Sequence, residues 1–318
     1  MKAFQKKSSV SSGPVSFRAA LKKDLKKNSF AYLLIVPVLL WYLVFCYAPM
    51  WGILLSFKDY KPLLGFAGSK WVGLKHFRDF LSGPYFFRTI KNTLMLNVWG
   101  LAFGFTSPIL LALLLNEVKS MKFKKVVQTI TYMPHFISLI VICGMIHIFT
   151  QSGGILTQLV NMITGTEHAS LLGYSNMFRP IYTFSGIWQN IGWDSIIYLS
   201  AMSSIDPGLY EAAEIDGAGR LRKMWHVTLP QIRPTIIILF IFAVGGLMAS
   251  GHKKIILLYN PLTYDTADVI ASYVYRRGLQ EASYSFATAV GLISSVVNFL
   301  LLWITNKISK KYSEISIF

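Results

Sequence analysis

Six α-helical membrane spans joined by polar segments make up the all-α integral membrane fold that this sequence predicts, and three observations predict it. Of 318 residues, 53% are hydrophobic and only 14% are charged, against about 25% charged in soluble domains. The apolar residues gather into runs long enough to cross a bilayer, each bounded by polar sequence. The Lys and Arg residues that give a net charge of +17 fall mainly between those runs.

The segment 1–28 is basic, with eight Lys or Arg against one acid, Asp24. A basic opening also suits a signal peptide, but the following apolar run, Phe30 to about Phe57, exceeds a signal core and no small-residue cleavage site follows. It is expected to stay as a first span, with Pro37 inside it and Trp41, Tyr42, Tyr47 and Trp51 along it. Residues 58–91 are polar and aromatic. A second span is expected from Asn92 to about Leu115, where Gly100 and Gly104, four apart, can seat another helix closely. Four lysines and Glu117 occupy 116–126. The third span, Val127 to about Thr150, carries Pro134, His135 and His147, each His expected to hydrogen-bond a neighbour. After a nearly uncharged loop comes a fourth, unusually polar span, Pro180 to about Ile205. The loop 206–234 precedes a fifth span, Thr235 to Ser250. A polar segment, 251–283, leads to the sixth, Tyr284 to about Thr305. The predicted organisation is therefore a basic segment 1–28, a transmembrane domain 29–307 and a tail 308–318.

The basic balance does not point to nucleic acid, because no basic platform interleaved with aromatics is present. Cys46 and Cys143 lie in apolar runs and read as small hydrophobes. No Cys/His grouping has metal-ligand spacing, and no Gly-x-x-x-x-Gly-Lys-Ser/Thr phosphate loop occurs. No catalytic residue, metal or cofactor is expected on this chain, so any nucleotide chemistry belongs to another chain.

The loop 206–234 reads as two short helices around a turn. Asp206 is a natural N-cap and Pro207 fits the first helical position. Gly217 supplies the left-handed residue that ends the first helix. Leu221, Met224 and Trp225 fall on one face of the second, which Pro230 is expected to stop. Each helix is shorter than the roughly 12–15 residues at which an isolated helix is even marginal. Such a pair needs a partner surface.

Glu211-Ala212-Ala213, then Gly217, then Val227-Thr228-Leu229-Pro230 closely resembles the "EAA" loop of permease subunits of binding-protein-dependent ABC importers. The family usually has Ile where Val227 stands. The resemblance extends from about residue 30 onward, through Ile197-Tyr-Leu-Ser-Ala, Leu257-Leu-Tyr-Asn-Pro, Tyr273-Val-Tyr-Arg and Ser285-Phe-Ala-Thr-Ala-Val-Gly. It is closest to the carbohydrate branch that handles polysaccharide-derived oligosaccharides. It implies the type I importer permease fold and a cytoplasmic coupling helix. Contacts to a separate ATPase subunit would then involve Glu211, Ala212, Ala213, Gly217, Leu229 and Pro230. The implied partners are a second homologous permease, two ATPase subunits carrying ATP and Mg, an extracellular solute-binding protein and an oligosaccharide. The large external domain of maltose-type permeases is absent. Just after the fifth span this chain has Gly251-His252-Lys253-Lys254 where relatives commonly carry a Gly-Phe or similar pair. That departure bears on the chemistry of the outer vestibule.

Charge gives the orientation independently. Six spans place both termini, 116–126 and 206–234 on one side, with nineteen of the 31 Lys and Arg, against twelve opposite. The positive-inside rule therefore puts the termini and the loop in the cytoplasm of a bacterial cell membrane. For the solute, the fourth span offers Trp188, Gln189, Asn190, Trp193, Asp194 and Tyr198. Two roles stay open for them: hydrogen bonds to sugar hydroxyls with Trp stacking on sugar rings, or hydrogen bonds between helices. Two rival readings, a membrane enzyme acting on lipid-linked sugars and a stand-alone transporter or channel, lack support. Only fourteen Asp and Glu exist, without an acid or nucleophile cluster at one membrane face. A stand-alone transporter needs no ATPase-docking loop.

Overall fold

The computed structural model describes residues 24–249 and 251–317 and is almost wholly helical. The expected basic segment 1–28 lies mostly outside the described residues. The chain forms two compact units, one ending at Leu54 and the other beginning at Leu55.

The first unit is the apolar helical run that opens with α1 (Ser29–Trp41), which contains Pro37 and passes into a π-helical turn, Tyr42–Tyr47. The whole run Ser29–Phe57 has a mean hydropathy of 2.2. Helical backbone satisfies its own hydrogen bonds, so lipid can solvate its outward-facing side chains.

In the second unit, Lys58–Asp59 pairs antiparallel with Lys70–Trp71, and α2 (Lys75–Leu81) follows. The second span is longer than expected: α3 (Phe86–Trp99), a π turn (Gly100–Gly104) and α4 (Thr106–Asn116) form one run of 31 residues. The third is not one rod. α5 (Met121–Tyr132) runs through a tight turn at Met133–Phe136, then the chain bends by 99° into α6 (Leu139–Thr150). Ile137 is extended there, and the Ser138 hydroxyl accepts from the Val141 N–H, capping a new helix. After α7 (Ile155–Thr164) comes α8 (Ser175–Ser203), 29 residues long.

Next are α9 (Pro207–Ile215), α10 (Arg220–Lys223), a π turn (Met224–Thr228) and α11 (Leu229–Gly245). Pro230 does not stop the second loop helix, contrary to expectation: Arg220–Gly245 is one continuous run of 26 residues. A π turn stands just ahead of Pro230, with the Leu229 N–H donating to the Met224 carbonyl, and Pro230 falls in the first turn of α11, where a missing N–H is tolerated. The chain continues through α12 (His252–Leu258) and α13 (Ile270–Tyr275) to α14 (Tyr284–Ser313), which carries helix six residues beyond the expected end of the domain at 307.

Among the described residues four helices are long and apolar enough to span a membrane, and the bent α5–α6 pair makes a fifth on the same measure. α8 has the length of a span, but its polar side chains keep it out of that set. α8 is also the axis of the second unit, packing against α4, α5 and α11. An upper core joins Leu96, Ile142, Ile146, Phe178, Ile255 and Leu258, and a lower one joins Ile109, Leu113, Tyr198, Met202 and Ile232. At the α5–α8 crossing a Cβ on Gly192 would stand 2.2 Å from the Thr131 carbonyl oxygen, so the two backbones touch there.

Candidate functional site

The loop after α8 is built by local hydrogen bonds. Asp206 Oδ1 accepts from the Gly208 N–H at 2.9 Å, and Pro207 fills the first helical position. Gly217 takes φ +74°. Its N–H donates to the Glu214 carbonyl (3.0 Å) and the Ala218 N–H donates to the Ala213 carbonyl (2.8 Å), the two bonds of a Schellman turn. Two side-chain ties hold α9 to the following helix. The Lys223 ammonium pairs with the Glu214 carboxylate, and Tyr210 Oη lies 2.9 Å from Thr228 Oγ1, which is buried. The Lys223 hydrogen bond holds the Glu214 carboxyl below its ordinary pKa.

What this scaffold presents is an uncovered surface. No residue of α9 is buried. Glu211 and Ala212 are exposed and Ala213 is half-buried. Ile215 is 87% exposed, and Leu221 and Trp225 on the following helix are exposed as well. Leu229 is half-buried and Pro230 exposed, at the point where the helix turns into the bundle.

Halfway along α8 two cavities adjoin, sharing Gly104 and Asp194 as walls. The first, about 290 Å³, is lined by Gln189, Asn190 and Asp194 together with Thr183 and Lys254. The second, about 350 Å³, is lined by Trp193, Asp194 and Tyr198. Five of the six sequence-chosen residues of α8 therefore line one or other of two adjoining cavities, and Asp194 lines both. Trp188, 46% exposed, lines neither cavity. Tyr198 lies mainly in the lower apolar core. Asn190 is positioned by both neighbours: its Nδ2 donates to the Gly186 carbonyl at 3.0 Å, and its Oδ1 lies 3.0 Å from His135 Nδ1. The His135 ring stacks flat on Trp193, centroids 4.4 Å apart. His147 Nε2 lies 2.9 Å from the Leu257 carbonyl, so both histidines tie helices together.

The Gly100–Gly104 turn packs alongside α8, as the glycine spacing suggested, yet the glycines also border open space. A Cβ on either would meet no atom within 4 Å, and both line the first cavity. Their missing side chains leave the cavity open beside that contact.

The sequence reading missed two features. One is the place of Lys254, noted only within the Gly251–Lys254 departure: it is buried on the α8 cavity, and its Nζ donates to the Tyr182 carbonyl at 3.0 Å. The other is the wall of a larger cavity, about 750 Å³, that includes Tyr60, Tyr85, Arg88, Tyr264, Tyr273 and Arg276. Behind it the fully buried Asp268 carboxylate accepts from Arg88 at 3.0 Å and from Arg276 at 2.7 Å on both oxygens. The Ser272 hydroxyl adds a bond at 2.8 Å. Asn92 joins this cluster to α8, donating to the Asp268 carbonyl and accepting from Arg179. A lone acid in the apolar run Ala267-Asp268-Val269-Ile270 was the available signal.

Comparison with known proteins bears on this architecture. A family model described as "Binding-protein-dependent transport system inner membrane component" matches residues 104–314. Over 305 residues the chain is 44% identical to the protein LplB of Bacillus subtilis (strain 168), covering 96% of this chain and 94% of that one. It is 43% identical over 302 residues to the polygalacturonan/rhamnogalacturonan transport system permease protein YteP of the same organism, covering 95% and 94%. Among solved structures, a bacterial ABC transporter involved in the import of the acidic polysaccharide alginate superposes with a TM-score of 0.84 at 41% identity, covering 92% of this chain and 99% of that one. A bacterial alginate ABC transporter in complex with an alginate pentasaccharide-bound periplasmic protein gives the same TM-score at 42% identity, covering 93% and 99%.

Proposed function

The chain belongs to the family of binding-protein-dependent transport system inner membrane components, and from that premise we propose that it is one permease half of an ATP-driven oligosaccharide importer. It is an integral membrane transport component. The sugar assignment is supported by relatives named for polygalacturonan/rhamnogalacturonan and alginate. A second, homologous permease completes the pathway, and a solute-binding protein delivers the sugar from outside. Two separate ATPase subunits carry the ATP and magnesium. The polar α8 serves as the remaining span, making six, with the loop and both termini in the cytoplasm as the charge bias favours.

The observation that carries the reading is the α9 knob. It is capped at both ends, tied through Lys223–Glu214 and Tyr210–Thr228 to α10 and the π turn that continue into α11, and has no buried residue of its own. A helix so well specified and so uncovered suits a socket on another chain, and its link to α11 gives a stroke somewhere to go. The small side chains of Ala212 and Ala213 allow close approach, with Glu211 as a charged handle. Glu211→Arg tests this in the importer assembled with its ATPase subunits. Sugar uptake into proteoliposomes is expected to vanish and solute-stimulated ATP hydrolysis to uncouple, while the amount of inserted chain stays the same. Unchanged uptake refutes the coupling role.

A further inference from the structure

We infer that the cavity between α3–α4, α8 and α12 is a subsite for a carboxylate-bearing sugar, with Lys254 supplying the opposite charge. The inference rests on the permease reading and narrows its substrate to acidic oligosaccharides.

Lys254 is only 8% exposed. Its ammonium has three hydrogens to donate. One goes to the Tyr182 carbonyl at 3.0 Å, and the Tyr182 ring lies beneath the charge with its centroid 5.0 Å away. Among the described residues no carboxylate lies within ion-pairing distance of it. A buried cation without a counter-ion is costly, and such charges are normally paired.

The surroundings point to a ligand as the missing partner. The Thr183 hydroxyl, 6% exposed and on the same cavity wall, has no hydrogen-bond partner. Gly186 gives the ammonium access to the cavity: a Cβ there would sit 3.4 Å from Nζ. Gly100 and Gly104 leave the opposite wall bare. Asp194 shares the cavity but at its far end. Eight residues of α8 separate it from Gly186, roughly 12 Å along the axis at about 1.5 Å per residue. That is too far for an ion pair and close to the length of two sugar rings. A uronate carboxylate accepts hydrogen bonds from Lys254 and Thr183, and hydroxyls further along the chain donate to Asp194. A neutral sugar leaves the ammonium unpaired.

The experiment uses the importer assembled with its second permease, ATPases and binding protein in proteoliposomes. The probes are trigalacturonate and trimannuronate, each beside its neutral methyl ester. Uptake of a uronate by the native importer and a loss of at least roughly thirtyfold in Lys254→Gln, the scale for truncating one member of a buried charge pair, is the expected result. Lys254→Arg retains most uptake, and the amount of assembled complex is unchanged. Import of neutral sugars alone by the native importer overturns the subsite and leaves the permease reading standing, whereas ATP-dependent import of no sugar at all overturns both. Unchanged uronate uptake in Lys254→Gln, an equal loss for uronate and ester, or recovery when Asp194→Asn is added each overturns the proposal. The last result would assign the lysine to Asp194 in another state of the cycle.

Discussion

Gly217 allows the loop 206–234, proposed above to couple to the ATPase, to be loosened by graded amounts without touching a span. It stands at φ +74°, where an L-residue costs roughly 1–2 kcal/mol. A Cβ there meets no atom within 4 Å, so Gly217→Ala carries that conformational cost and no clash. Gly217→Val adds β-branching at a left-handed position and costs more. Gly217→Pro cannot adopt the turn at all, since proline fixes φ near −65°, roughly 140° away, and has no N–H. Both Schellman bonds, Gly217 to Glu214 and Ala218 to Ala213, are then lost. At about 0.5–1.5 kcal/mol each they add roughly 1–3 kcal/mol to the strain. α9 is nine residues long and buries none of them, so it has little else to hold its end in place. Uptake and solute-stimulated ATP hydrolysis, measured together in proteoliposomes, are expected to fall in the order native, Ala, Val, Pro. With Pro, transport is expected to vanish while the inserted chain remains. A Gly217→Pro importer that moves sugar at the native rate refutes the coupling geometry.

Two further substitutions probe the bundle. Gly192→Ala puts a methyl 2.2 Å from the Thr131 carbonyl oxygen and 2.8 Å from the Tyr132 ring, forcing α5 and α8 apart. A loss of about 1–3 kcal/mol is expected from overpacking, seen as a lower unfolding temperature in detergent, with Gly192→Val worse; a native unfolding temperature refutes the close crossing. Asp268→Asn leaves Arg88 and Arg276 facing a neutral amide in a site where the carboxylate was fully buried. About 3 kcal/mol is expected to go, the low end of the range because the two arginine side chains are 28% and 18% exposed. The same thermal assay checks it, and an unshifted transition means the arginines are solvated well enough without their partner.

How much was legible follows from the distance over which each cause acts. Pro207, Asp206 and Gly217 specify the α9 knob within a dozen residues, by capping bonds that any context would allow. The tight set on α8 was half legible. Its polar residues stood out in an apolar chain, but only packing shows that Trp188 lines neither cavity while Asn190 and Trp193 meet His135. Where backbone geometry answered to its surroundings, local signals misled. Pro230 reads as a helix stop until the π turn before it is seen, and the cavity beside Gly100 and Gly104 has no signature in their spacing.

By itself, then, the sequence determined the apolar runs, their polar connections and the caps of α9, because transfer to lipid and turn chemistry are decided residue by residue. Only the tertiary structure decided the bend between α5 and α6 and the partners of the buried charges. Lys254 meets Tyr182 from 72 residues away, and Asp268 meets Arg88 from 180 away. The energy of a buried charge depends on what lies within a few ångströms of it. Those neighbours come from other helices, so no stretch of sequence contains the answer.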